Sequence, residues 1–559
     1  MVRDIEPEFN LLDEPWIVVR TVNGLRKEVS LLELFEYSSE YQSLAGEMPS
    51  QDAAVLRLLL AILHGALGGR DIDGEPFPYD DEGQIDGALE LWKSLWRNGL
   101  PYARIEAYLR EYEDRFYLFH QIAPFFQLAE LSERNDVFGS FSVSKLIGDV
   151  LESDNKKRLI TTRSGTGKDT LAYSEAARWL LTFVSYAETF GKLEAKGRTS
   201  KDDPSVGVGW LGKLGLVIAI GDNLFETLML NLTLLDSNGT PWGDDRPLWE
   251  KPVSKAERNV ITLPNSQAGM LTLQSRRVLL ERSNSTVTGF RFVSGDIFPP
   301  EEAFSEMMTI WRYSKQPGDR TEHYRPRAFQ PAVQVWRDFS SLVLQNSVDG
   351  RRIPGVIWWL KHLVEGEYMP STSLFRIQTV GITYGTMQAV TTDVFSDSLS
   401  FNAGLLSELN SIWVTNIINE LSITDKLVKE VGSLAQNIAK ASGVKDGKAD
   451  WAHGANARDD AKTTAYYMLD PHFRMWLESI DPAADDVDMK IDEWWVTSQK
   501  LIRALGSELI SNCSPQTLVG RSNQSALDSY SWFVSNTRNR ETLIKAGEKK
   551  HGKAAGIDQ

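Results

Sequence analysis

A basic run between Lys156 and Lys168, KKRLITTRSGTGK, carries five positive charges and no acidic residue. Lysine and arginine are the side chains that neutralise nucleic-acid phosphates, and the run stands out because the whole chain has a formal charge of -16. The net negative charge argues against binding of nucleic acid or of an anionic membrane over the whole protein surface. A binding site for either is therefore local. The run predicts a phosphate-contacting loop whose cations are Lys156, Lys157, Arg158, Arg163 and Lys168.

The same run differs from a nucleotide-binding P-loop at two positions that the motif requires. A P-loop has Gly five residues before its second Gly, and Ser or Thr directly after its Lys. This chain has Thr162 and Asp169 at those positions. The run therefore does not predict ATP binding.

Other residues that could perform chemistry lack the spacing that chemistry needs. The seven histidines form no pair at i, i+3 or i, i+4, and the lone Cys513 excludes an internal disulfide and a cysteine metal cage. The acidic residues Asp485, Asp486 and Asp488 follow a proline at a predicted helix start, where the helix dipole alone favours them. No Gly-x-Ser-x-Gly motif occurs. We expect no catalytic residue, no metal and no cofactor.

Four arginines lie along a predicted hairpin formed by residues 271–281 and 286–293, with its turn at Ser283 and Asn284. They are Arg276, Arg277, Arg282 and Arg291. Two interpretations fit this pattern equally: a solvated face balanced by nearby acids, or a surface that contacts nucleic acid.

Residues 374–395, LFRIQTVGITYGTMQAVTTDVF, predict a second hairpin. Val380, Ile382 and Tyr384 alternate with small residues, and β-prone sequence resumes at residue 389. The tip then spans residues 384–388 and includes Thr386, Met387 and Gln388. An ordinary surface hairpin and a functional one have the same pattern, so the sequence alone leaves both open.

The elements before this hairpin mix strands and helices. Asn23 and Gly24 predict a hairpin turn, Ser30 caps a helix, and Ser50 is the predicted cap of the next one. Residues 216–234 are apolar and β-prone. Four long segments after the hairpin repeat at helical spacing: residues 402–441, 458–479, 485–511 and 523–546.

The 559 residues are too many for one core. The pattern predicts an α+β protein: a mixed α/β N-terminal domain at 1–373, a hairpin and connection at 374–400, and a C-terminal four-helix bundle at 401–559. The N-terminus lacks an apolar signal core, and the most apolar helix, at 53–67, is short and interrupted by Arg57 and His64. We therefore expect a cytoplasmic protein with no membrane partner.

Four segments resemble, in order and spacing, the CasA family, the large subunits of the type I-E CRISPR surveillance complex Cascade. They are FNLLDEPWIVV at 9–19, MPSQDAAVLRLLLAIL at 48–63, SEAARWLLTF at 174–183 and VGITYGTMQA at 380–389. The resemblance extends over essentially the whole chain. It implies a subunit that recognises the protospacer-adjacent motif in double-stranded DNA, wedges the duplex open for CRISPR RNA pairing, and recruits a helicase-nuclease alongside the other Cascade subunits.

The resemblance also implies which residues contact DNA. A glycine-containing motif loop corresponds to Phe190, Gly191 and Lys192, although Gly191 is also placed to cap the preceding helix. The wedge corresponds to Gln388, and Met387 stands where the family has asparagine. Arg291 is the nearest cation to the family's lysine finger, and the basic run lies where the family has a DNA-contacting loop. The alternative is an unrelated RNA-binding scaffold, or an enzyme acting on an anionic substrate.

Overall fold

A computed structural model of the chain describes residues 8–77, 81–133, 140–148, 150–151, 161–189, 207–256, 260–314, 323–344, 351–442, 447–520 and 525–545. The chain divides into two compact units. The first comprises residues 1–333, 344–363 and 375–398, and the second comprises residues 334–343, 364–374 and 399–559. The mixed architecture followed by a helical bundle confirms the predicted α+β class.

Fourteen strands lie in the described part of the chain. They are β1 (Glu8–Asn10), β2 (Ile17–Thr21), β3 (Arg26–Val29), β4 (Tyr41–Leu44), β5 (Tyr117–Phe119), β6 (Phe141–Ser142), β7 (Leu216–Ile220), β8 (Arg276–Ser283), β9 (Thr286–Ser294), β10 (Trp311–Ser314), β11 (His323–Pro326), β12 (Arg351–Arg352), β13 (Leu374–Tyr384) and β14 (Thr391–Asn402). They form small sheets ordered β1-β5, β3-β2-β4, β6-β9-β8, β11-β10-β12 and β14-β13-β7.

The helices of the same described ranges are α1 (Leu31–Glu36), α2 (Pro49–Leu67), α3 (Asp81–Asn98), α4 (Tyr102–Glu111), α5 (Thr166–Asp169), α6 (Tyr173–Tyr186), α7 (Leu224–Asn231), α8 (Gln267–Leu271), α9 (Phe339–Val343), α10 (Gly355–Glu365), α11 (Ser411–Ala441), α12 (Gly447–Glu478), α13 (Val487–Ser511), α14 (Pro515–Val519) and α15 (Ala526–Asn536).

Local turn and cap residues explain the hairpins of the first unit. Gly24 turns between β2 and β3 with φ +82°, a conformation that glycine adopts without a steric cost. The β8–β9 hairpin turns at Asn284, which also has a positive φ. Ser30 caps α1 by accepting a hydrogen bond from the Glu33 amide. All three predictions from sequence are therefore confirmed.

Helix α2 is the central helix of the first unit. It packs against α4, α6, α7 and α8, and its buried residues include Arg57 and His64. Within the described residues, α2 is the one helix long and apolar enough to cross a bilayer by length and composition alone, but 83% of its apolar window is buried inside the protein. Such burial is typical of a core helix.

Helix α11 is the centre of the second unit and packs against α12, α13 and α15. The bundle core contains tilted and edge-on rings, among them Phe473, Trp476 and Trp494. Trp494 donates its indole N–H to Thr424 across the core (2.9 Å). Gly506 lets α13 approach α15, because a Cβ at this position would lie 2.2 Å from the Phe533 ring. These contacts confirm the four-helix bundle.

Two predicted features of the first unit are wrong. Ser50 does not cap α2, because Pro49 occupies the first helical position and Met48 is the N-cap. Residues 216–234 are not continuous β structure: after β7, Asn223 accepts from the Glu226 amide (2.9 Å) and begins α7. An apolar run alone does not distinguish a buried strand from a buried helix.

The first helix of the bundle begins later than predicted, at Ser411. Residues 403–406 and 408–410 form short 3₁₀ turns instead. Asn402 and Ser407 accept from the Gly404 and Leu409 amides, and such side-chain caps compete with a continuous helix.

Candidate functional site

The β13–β14 hairpin ends in a tight, exposed tip. Residues 386–388 form one 3₁₀ turn, closed by hydrogen bonds from the Gly385 amide to the Val390 carbonyl (2.7 Å) and from the Gln388 amide to the Gly385 carbonyl (2.9 Å). Met387 and Gln388 have φ values of 57° and 55°, in the left-handed region, and the Met387 side chain is 85% exposed. Left-handed residues other than glycine are strained, and such strain is concentrated at functional sites.

The Gln388 side chain lies beside two other segments of the first unit. Thr189 donates its amide to the Gln388 carbonyl (3.0 Å) and its hydroxyl to Gln388 Oε1 (3.5 Å). A Cβ on Gly207 would lie 3.6 Å from the same Oε1. The amide nitrogen Nε2 donates to no group in the described ranges of the chain. The tip therefore presents an exposed side-chain amide, and its donor end is not used by the described part of the chain.

The two strand ends next to the tip are anchored to the end of α6 and to the residues that follow it. The Tyr384 hydroxyl donates to the Tyr186 carbonyl (2.7 Å), and the Thr391 amide donates to Glu188 Oε1 (2.6 Å). Burial raises the pKa of the Tyr384 hydroxyl, which keeps it a neutral donor. Glu188 is itself buried, so its bond to Thr391 is shielded from water.

Residues 187–189 and 207–209 run side by side, joined by a hydrogen bond from the Gly209 amide to the Ala187 carbonyl (2.9 Å). We call these two short segments the stem. They flank residues 190–206 in sequence, and they lie against the hairpin through Thr189 and Gly207. The predicted motif loop, Phe190, Gly191 and Lys192, lies outside the described residues, as do Lys156, Lys157 and Arg158 of the basic run.

The described cations of the basic run have different environments. Arg163 forms ion pairs with Glu47 and with Glu175 (3.2 Å), and its side chain is 16% exposed. Lys168 is half-buried in the short helix α5. Arg163 therefore links the run to α6 and to the residues preceding α2, and a phosphate would compete with two carboxylates for its guanidinium.

The arginines of the β8–β9 hairpin do not form one solvated face. Arg276 and Arg277 are 2% and 1% exposed, whereas Arg282 pairs with Glu8 and stacks over the Phe119 ring. Arg291 is half-buried, and its Nε lies 2.6 Å from Glu281 Oε1. Sequence reasoning treated the four as one group and missed the burial of the first two. Adjacent residues of a strand point to opposite faces of the sheet. Two adjacent arginines at the start of an apolar strand therefore cannot both lie on one solvated face, and this was the available signal.

Acidic residues at the start of α13 have a capping role, as the helix-start interpretation predicts. Asp486 is the N-cap and accepts from the Met489 amide (3.0 Å), whereas Asp485 accepts from the Asp481 amide (2.8 Å) in the turn before the helix. Among the described residues, no three His, Cys, Asp or Glu side chains are placed to hold a metal ion.

Solved structures define the class of protein to which this fold belongs. The structure is similar to that of Cse1 from Thermobifida fusca, with a TM-score of 0.80, 30% identity, and coverage of 96% of this chain and 98% of that one. It also shares its fold with a chain of a CRISPR RNA-guided surveillance complex, at a TM-score of 0.65 and 18% identity over 96% of this chain and all of that one. The class is that of CRISPR-associated proteins.

The family is defined more closely by sequence. A CasA/Cse1 protein from Thermus thermophilus is 29% identical over 492 residues, which is 87% of this chain and 88% of the relative. The model of the CRISPR-associated protein Cse1 family matches residues 10–505. The chain belongs to the Cse1 family, so the resemblance drawn from sequence is confirmed and an unrelated protein is excluded.

Proposed function

We propose that this chain is the large subunit of an RNA-guided CRISPR surveillance complex and recognises the protospacer-adjacent motif in double-stranded DNA. Family membership and the fold shared with a chain of such a complex support this assignment. The partners are then target DNA, CRISPR RNA, the other Cascade subunits and the helicase-nuclease, all in the cytoplasm. The subunit itself has a binding role and no catalytic residue. The DNA-contacting groups belong to residues 1–373 and to the hairpin at 374–400.

The observation that carries the proposal is the position of the hairpin tip. Gln388 contacts Thr189 and lies beside Gly207, the described residues at the two ends of the segment that contains Gly191. Two elements that the family resemblance assigns to DNA recognition are thus connected through described residues. A motif loop and a wedge acting on adjacent base pairs require this proximity.

The physical demands of the task match this arrangement. Reading the minor groove requires thin backbone, amides and cations, whereas opening a duplex requires a side chain that replaces a base pair. The amide of Gln388 offers a donor and an acceptor to bases that have lost their partners. Pairing with the guide RNA then supplies both sequence specificity and the energy of strand exchange, so ATP is not needed.

Met387 distinguishes this tip from the family pattern, which has asparagine at this position. Its exposed thioether side chain accepts hydrogen bonds only weakly. We therefore propose that this chain makes one polar contact fewer to the motif and reads it less stringently.

The cations have two proposed roles. Lys168 contacts phosphate, whereas Arg163, because of its ion pairs with Glu47 and Glu175, mainly holds the basic run in place. Arg291 is proposed as the cation nearest the minor groove. There its guanidinium leaves Glu281 and bonds to DNA instead.

The Gln388→Ala variant tests the wedge. Unstacking costs a few kcal/mol per base step, so removing the wedge is expected to slow formation of the RNA–DNA hybrid by about tenfold or more while leaving initial duplex binding nearly intact. A target with a pre-melted bubble beside the motif has already lost that barrier and should rescue the variant. The measurement is permanganate footprinting of paired and bubbled targets bound to the reconstituted complex.

Gln378→Ala is the matched control, because it makes the same chemical change on β13 of the same hairpin, away from the tip. It should leave hybrid formation unchanged on both targets. Equal defects of Gln388→Ala on paired and bubbled targets, or no defect on either, would show that the tip is not a wedge.

A further inference from the structure

Arg276 lies at the start of β8 and is buried directly beneath the stem. Its Nη1 donates to the Ser275 carbonyl (2.9 Å), and its Nη2 donates to the carbonyls of Glu188 (2.9 Å) and Gly207 (2.6 Å). The last two acceptors belong to opposite arms of the stem. One guanidinium therefore ties together the chain entering residues 190–206 and the chain leaving them.

The second arm of the stem also packs closely against the end of α6. A Cβ on Gly209 would lie 2.3 Å from the Ser185 carbonyl oxygen, so this arm lies in backbone contact with the last turn of α6. The Trp210 amide, which follows the second arm, donates to the Ser275 hydroxyl (2.9 Å). Both arms are thus fixed to the residues that begin β8.

The same stem carries the hairpin tip. The Glu188 carbonyl accepts a hydrogen bond from Arg276, and the Glu188 carboxylate accepts one from the Thr391 amide (2.6 Å). One residue is thus bonded to both the arginine and the hairpin. Thr189, the next residue, bonds to Gln388. A shift of Arg276 is therefore transmitted through Glu188 to the wedge.

We propose that Arg276 is a positioning residue that holds the two arms of the stem, residues 187–189 and 207–209, in place against the wedge Gln388. This inference rests on the proposed function and adds to it a buried residue, remote from DNA, on which motif discrimination depends. Arginine is suited to the task because its rigid planar fork donates to several acceptors at once, whereas lysine presents a single flexible point charge. Loss of the fork loosens the stem from the wedge without removing any of the groups proposed to contact DNA.

The test compares Arg276→Gln with Arg277→Gln in the full chain within its surveillance complex. Arg277 is an ideal match because it is the next residue, is equally buried, and donates instead to Asp296 (2.5 Å) and the Lys255 carbonyl. The probe is a duplex library randomised at the positions adjacent to the target. Discrimination is the ratio of affinities for the preferred and the disfavoured motifs.

Arg276→Gln is expected to lower this ratio by about tenfold or more, while affinity for motif-free duplex and its salt dependence stay unchanged. Arg277→Gln should lower the melting temperature by a similar amount but keep the ratio. Arg276→Lys retains the charge without the fork and should also lose discrimination; it carries the test if the glutamine variant does not fold.

Equal losses of discrimination in the Arg276 and Arg277 variants would overturn the inference, since a general loss of stability would explain both. A wild-type ratio in Arg276→Lys would overturn it as well. A wild-type complex that shows no preference in the library would instead refute the proposed function, so the two failures are distinguishable.

Discussion

A buried ion pair deep in the first unit gives a sharp prediction about stability. Arg57 of α2 donates through both terminal nitrogens to Glu306, at 2.8 and 2.9 Å, and the two residues are 3% and 1% exposed. The same carboxylate also accepts from the Trp210 indole (2.8 Å) and the Met308 amide (3.2 Å). Four donors thus converge on one buried anion.

Glu306→Gln keeps the shape of the side chain but removes the charge. Arg57 then remains buried without a counterion, and one end of the new amide presents N–H groups to neighbouring donors. Removing one partner of a buried pair typically costs about 3–5 kcal/mol, because desolvation of the other charge is no longer offset. Arg57→Met should cost a similar amount. The double variant Arg57→Met with Glu306→Gln should recover at least ~2 kcal/mol of the summed losses, since no unpaired charge remains.

The assay is urea unfolding of each variant, followed by tryptophan fluorescence and by far-ultraviolet circular dichroism. We expect the midpoint of the first unit's transition to fall, while the transition of the helical second unit stays in place as an internal reference. Single-variant losses below ~1 kcal/mol, or losses that simply add in the double variant, would refute this account of the pair.

Two further predictions concern charge. Lys168→Ala should reduce the salt slope of duplex binding by about one and weaken all sequences equally, without a change in melting temperature, because a phosphate contact carries no sequence information. Gel-shift titrations over a range of salt concentrations measure this, and an unchanged slope would remove Lys168 from the interface. In the bundle, burial raises the pKa of Glu420 from 4.5 to about 7 even though Arg540 lies beside it. A raised pKa means that the folded state binds the proton more tightly, so this contribution to stability is complete below pH 4.5 and is lost as the pH rises through about 7. Glu420→Gln should therefore flatten the pH dependence of the melting temperature over this window and stabilise the bundle by up to ~3 kcal/mol above it, and an unchanged pH dependence in this variant would contradict the prediction.

Local signals in the sequence were sufficient to predict the hairpins and most helices. Gly24 and Asn284 mark turns that follow from backbone preferences of a few adjacent residues. The tip at residues 386–388 was also located by sequence, but its left-handed backbone was not, because neither Met387 nor Gln388 favours that conformation. Contacts with distant residues stabilise it.

The anchors of the candidate site could not be predicted, for a different reason. Arg276 and Glu188 are 88 positions apart, and Tyr384 and Tyr186 are 198 apart. Charged side chains are usually exposed, so composition favours the surface for Arg276 and Glu188. Only the folded backbone brings carbonyl acceptors to Arg276 and makes its burial favourable.

The composition of α2 has a consequence for the chain during its synthesis. Its 19 residues are apolar enough to enter a bilayer, and until the first unit folds they lack the neighbours that bury them. A cation near the middle of such a segment costs roughly 2.5–3.5 kcal/mol on insertion, which disfavours integration by the translocation machinery. Arg57 supplies that cation, and its partner Glu306 is made 249 residues later. The arginine thus discourages misdirection of the nascent chain before it serves as a buried ion pair in the finished protein.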